Sequence, residues 1–177
     1  MGVIFMIYLF AGLIRTPREL ESALGVRMMR LAKGSGEDVK ATPKWDFIKR
    51  WGEKLVNSER MLSAEEAAGL TCAELVASSA KAEGALGDAG FFALACDGAE
   101  SLAGTFASVL VSACAKAGCT VKTGDPLEDK AALEALLASS GVLAVVGVDQ
   151  TKRTRVFDAL RLAADHNIPV VGYVSVR

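Results

Sequence analysis

Two stretches in the C-terminal half of the chain are apolar without interruption: Phe91–Cys96 (FFALAC) and Val142–Val148 (VLAVVGV). A strand wet on one side would alternate apolar and polar residues. Unbroken runs of this length suit strands covered on both faces, as in a parallel sheet. Segments of helical period separate them. Gly104–Ala117 is Ala-rich, and Gly118 is placed to end it. Leu127–Ser139 carries Leu127, Ala131, Leu133, Leu136 and Leu137 as its apolar residues. Thr151–Asn167 sets Val156, Phe157, Leu160, Ala163 and Ala164 on one face. Cys119–Lys122 reads as a short strand, and Val170–Val176, after Pro169, as another. Strands alternating with helices of this length predict a mostly parallel sheet of about four or five strands, with helices on both faces.

The N-terminal half is less regular. Gly2–Ile14 (GVIFMIYLFAGLI) has no charge, and Arg15 and Arg18 follow at once. A bilayer span needs about 20 apolar residues, so this run is short. It lacks the basic start and small-residue cleavage site of a signal peptide. Tyr8 and the abrupt Arg15 predict the cytoplasmic half of a transmembrane helix over 1–15, with its beginning upstream; the alternative is a buried core helix. Arg15, Arg18, Arg27, Arg30 and Lys33 would then put the rest of the chain on the cytoplasmic side of the cell membrane. Thr16 as N-cap and Pro17 at the first helical position predict a short helix that Gly25 ends. Val26–Leu31 follows as a candidate strand. Gly34–Thr42 reads as a linker. Pro43–Asn57 has Trp45, Phe47, Ile48 and Trp51 at helical spacing, for packing on the domain or for lying in a headgroup layer. Residues 16–62 are thus a juxtamembrane segment and linker, and 63–177 the domain. Ser63-Ala64-Glu65-Glu66 has the form of a capping box, opening a helix to Lys81 that Gly69 could break.

Composition changes this picture little. A net charge of −1 gives no global attraction to nucleic acid, and none is expected as a partner. One histidine and four cysteines without paired spacing leave no metal motif. Cys72, Cys96, Cys114 and Cys119 read as small buried side chains of a reducing compartment rather than a disulfide framework.

The segment RTPRELESALGVRMMRL, behind an apolar span, resembles the exit from the second transmembrane helix of bacterial polysaccharide chain-length determinant proteins, the co-polymerases. Ile14, Thr16, Glu19-Leu20-Glu21, Leu24 and Gly25 fall on that family's pattern. In one branch a cytoplasmic P-loop tyrosine-kinase domain follows. TFASVLVSACAKAGCTV is similar in texture to the helix and strand after its P-loop, and VLAVVGV with NIPVVGYVSV to its closing strand–helix–strand. The resemblance implies a small three-layer Rossmann-like or P-loop-like α/β domain behind a partial membrane helix. It also implies a module that assembles as a homo-oligomer or with polysaccharide-assembly proteins.

The catalytic parts do not carry over. A P-loop reads G-x-x-x-x-G-K-[ST]. Aligning the helices puts Ala103 in the lysine position and Gly104 in the hydroxyl position, and Asp125 lies beyond the strand that should end in metal-binding acids. The expectation is a degenerate, non-enzymatic domain with no cofactor. It would act in polysaccharide chain-length control or export. The alternatives are a weak nucleotide- or phosphate-binding protein and an unrelated soluble Rossmann-like protein. If a ligand site persists, it would be an anion site where Gly98, Ser101 and Thr105 face Thr151, Lys152, Arg153 and Arg155. The cations there oppose the helix dipole, which argues for a ligand; the bland reading is a solvated charge run partly neutralised by Asp149.

Overall fold

A computed structural model describes residues 12–14, 16–34, 61–81 and 90–177. The expectations for residues 1–11, the Pro43–Asn57 helix and most of the Gly34–Thr42 linker lie outside the described residues. The elements in chain order are α1 (Glu19–Leu24), β1 (Met28–Ala32), α2 (Ala64–Lys81), β2 (Phe91–Ala95), α3 (Leu102–Lys116), β3 (Val121–Gly124), α4 (Lys130–Leu137), β4 (Gly141–Gly147), α5 (Arg153–Asp165) and β5 (Val170–Val176). All strand pairs are parallel, in the order β1-β5-β4-β2-β3. This is an α/β sheet flanked by helices, compatible with the Rossmann-like expectation.

The unbroken runs are what they promised. β2 and β4 are buried at every position. Along β2, Phe91, Ala93 and Ala95 join one apolar cluster, with Ala67, Ala68, Cys72 and Leu75 of α2 and Phe106, Ala107, Leu110 and Cys114 of α3. Phe92 and Leu94 join the other, with Leu20 of α1, Ala132 and Leu136 of α4, and Val156, Ala159, Leu160 and Ala163 of α5. The two-residue period of a strand thus divides its side chains between two helical layers.

Helix boundaries shift where a side chain or carbonyl has a stronger use elsewhere. α1 starts at Glu19 rather than at Pro17, because the Pro17 carbonyl accepts buried hydrogen bonds from Tyr173 Oη (2.8 Å) and Ser175 Oγ (2.9 Å). α4 starts after Asp129, whose carboxylate accepts from Ala131 N, so Leu127 is left in the preceding turn, 42% exposed. α2 runs unbroken through Gly69. Its capping box is formed, with Ser63 N donating to Glu66 Oε2 and Glu66 N to Ser63 Oγ. β1 adds to the sheet beside β5, so the sheet reaches into the 16–62 segment.

Among the described residues no helix is long and apolar enough to cross a membrane. The end of the expected membrane helix is extended. Leu13 forms an antiparallel bridge with Lys152. Ile14 N donates to Thr151 O (2.9 Å), Asp149 N to Ile14 O (2.7 Å) and Arg153 N to Gly12 O (2.6 Å). Ile14 is fully buried. Backbone groups that bond to a neighbouring loop in this way are not in a helical ladder, so the helix expected over 1–15 does not extend through Gly12–Ile14.

Candidate functional site

The chain leaves β2 for β3 in one direction and leaves β4 for β5 in the other. The connections therefore part between β2 and β4, opening a crevice at the strands' C-terminal ends, where open α/β sheets bind ligands. A cavity of about 500 Å³ lies there, lined by Cys96, Asp97, Gly98, Ser101, Glu128, Gln150, Lys152 and Arg155.

The loop after β2 is built around Gly98, at φ +82. Ser101 caps α3, its Oγ accepting from Gly104 N (3.0 Å) and donating to Gly98 O (2.8 Å). Gly104 has to be glycine, since a Cβ there would sit 2.1 Å from Gly98 O. The loop after β4 is tied to this one by side chains. Gln150 Oε1 accepts from Leu102 N (3.2 Å), and the Thr151 hydroxyl donates to Asp97 and accepts from Gly147 N. Thr151 is fully buried behind the cavity wall.

Of the residues proposed from sequence, Gly98, Ser101, Lys152 and Arg155 line the cavity together. Thr151 acts one layer behind, through Asp97. Thr105 lines a separate groove between α2 and α3, with Glu65, Ser108 and Lys116. Arg153 lies over the Phe157 ring, 5.9 Å from its centroid, and does not line the cavity. Cys96, Glu128 and Gln150 lie outside the expected site, whereas Asp97 opens the 97–105 stretch expected to face Thr151–Arg155. Only Asp97, next after the strand run, carried a readable signal.

The electrostatics differ from the expected anion field. Arg155 Nη2 is 2.5 Å from Asp125 Oδ2 and 2.6 Å from Glu128 Oε1. Burial works against its charge, but the two carboxylates outweigh burial and raise its pKa. Asp125 directly follows β3, at the strand end where a P-loop protein would carry a metal-binding acid, and here it is paired with arginine. Burial, then Asp125 and Asp97, push the Cys96 thiol up to about 12, which disfavours its thiolate. Among the described residues no group of three or more His, Cys, Asp or Glu side chains could hold a metal ion.

Three amides of the two helix starts are also engaged. Leu102 N and Gly104 N have side-chain acceptors, and Arg153 N has the carbonyl of Gly12. Comparisons with family models, with curated proteins and with solved structures found no match.

Proposed function

We propose that the chain is a non-enzymatic module of a membrane-anchored regulator of polysaccharide chain length or export, acting through contacts with copies of itself or with assembly partners. The observation that carries the non-enzymatic part is Ala103 in the lysine position, beside three helix-start amides already bonded within the chain. A phosphoryl-transfer site needs those N–H groups, a lysine and a metal to meet charge on the phosphates. Here Leu102 N, Gly104 N and Arg153 N each bond to an acceptor of the chain itself, and Ala103 stands in the lysine position. The polysaccharide context rests on the resemblance of residues 14–31, and the membrane anchor on the apolar residues that precede Gly12.

The test is an ATP titration and a turnover assay on the full chain, with and without Mg²⁺, beside membrane fractionation. The expected outcome is no turnover and recovery with membranes. Mg²⁺-dependent hydrolysis would overturn the non-enzymatic reading, and a wholly soluble monomer the anchored one.

A second reading, weak binding of a phosphate or nucleotide, is favoured by one feature: the exposed Lys152 beside Ser101 and Gly98 on the cavity wall. Asp97 and Glu128 on the same wall oppose it. Salt-sensitive phosphate binding that Lys152→Ala abolishes would favour this reading over the first.

A further inference from the structure

Away from the crevice, three of the four cysteines meet. Cys72 of α2 and Cys114 of α3 belong to one buried cluster, and the partly exposed Cys119 packs against it. The end of α3 explains why. Gly118 adopts φ +74. Cys119 N donates to Cys114 O (2.9 Å) and Gly118 N to Ala115 O (3.2 Å). These are the two hydrogen bonds of a Schellman ending, which turns the residue after the glycine back onto the helix and sets it against the residue five positions earlier. In most proteins the two positions make an apolar contact. Here both are cysteines. A disulfide requires two Cα atoms roughly 4.4–6.8 Å apart, and this ending folds the backbone of Cys119 back onto that of Cys114.

We propose that Cys114 and Cys119 form an oxidisable dithiol, with Cys119 as the thiol that reacts with a hydroperoxide and Cys114 as the thiol that resolves it. The Cys119 thiolate attacks the peroxide, the O–O bond breaks, and the departing oxygen leaves as water, giving a sulfenic acid on Cys119. The Cys114 sulfur then attacks the Cys119 sulfur, the S–O bond breaks and a second water leaves with the Cys114 proton. Two thiols and one hydrogen peroxide become one disulfide and two waters, and a dithiol reductant reverses the bridge. The roles follow from position. Cys119 is the partly exposed member, whereas Cys114 is fully buried and reached only from within. Burial raises the pKa of both thiols and the neighbouring Cys72 raises both further, while a hydrogen bond with Cys114 acts in the lowering direction on Cys119. Reaction is therefore slow at neutral pH and quickens as pH rises.

The experiment is oxidation of the full chain with millimolar hydrogen peroxide, followed by alkylation of remaining thiols, trypsin and mass spectrometry. Lys116 lies between the two cysteines, so cleavage there leaves two peptides joined only by the bridge. The expected result is a loss of two hydrogen atoms, a Cys114–Cys119 linkage, and Cys96 still reduced. Cys114→Ser should leave the sulfenic acid standing on Cys119, where dimedone captures it. Cys72→Ser should leave the linkage intact. A bridge to Cys72, an intermolecular bridge, a two-hydrogen loss that survives Cys119→Ser, or no oxidation of Cys119 would each overturn the proposal.

Discussion

A cation in the first turn of a helix faces the positive end of its dipole, a cost of about 0.3–1 kcal/mol. For Arg155 that cost is outweighed by Asp125, whose side chain is only 10% exposed, with Glu128 beside it. Removing the guanidinium would strand a mostly buried carboxylate. Arg155→Ala is therefore expected to lower stability by about 1–3 kcal/mol, whereas Arg153→Ala on the exposed face should stay within about 0.5 kcal/mol. Urea unfolding midpoints of the two single variants check this; equal shifts would show that the pairing at Arg155 carries little. A pH effect follows from two other side chains. Burial raises Cys96 from 9.0 to about 12, and burial raises Tyr173 from 10.0 to about 12. In each case the unfolded chain ionises at lower pH than the folded one. Their contribution is fully present below pH 9 and is lost as pH rises towards 12. Unfolding free energy measured across this range should fall, and Tyr173→Phe should flatten the upper part of the fall. A level profile would refute the assignment.

At the scale of elements, the short bridge Gly12–Ile14 belongs to the domain. It fixes the loop after β4 through main-chain bonds and places Ile14 in the cluster of Phe92, Val146 and Tyr173. Ile14→Ala is expected to cost about 2–4 kcal/mol, read as a lowered denaturation midpoint. A change under half of that would mean the segment is only loosely seated. The same substitution separates what a sequence shows from what it hides. β2, β4 and α5 were legible because burial imposes a period or its absence on side chains. The bridge was not, since backbone hydrogen bonds leave no mark on residue choice, and an apolar run without period fits a membrane helix as well as a buried extended segment. The ending of α3 was half legible: Gly118 marked the stop, but the meeting of Cys114 with Cys119 needed the geometry of the turn.

For the whole molecule, the crevice depends on strand order, with β3 joining beside β2 and β5 beside β4, and β1 completing the edge next to β5. Helical and strand periods say nothing about that order. This is why Gly98 and Lys152 could be placed near one another from the α/β rule, while Gln150 and Glu128 could not be foreseen as their neighbours. The same placement of β1 has a consequence in time. Met28 pairs with Tyr173 and Ala32 with Val176. At about 5–20 residues per second of synthesis, β1 waits on the order of ten seconds for the strand that shelters it. Through that interval β1 lacks its strand partner, although α2, made earlier, shares an apolar cluster with Met29. Sheet closure of this kind joins segments far apart in sequence and is intrinsically slow. Overproduced chain should therefore be lost to aggregation mainly before β5 is made, and slower translation would not rescue it, whereas a holding chaperone that covers β1 would.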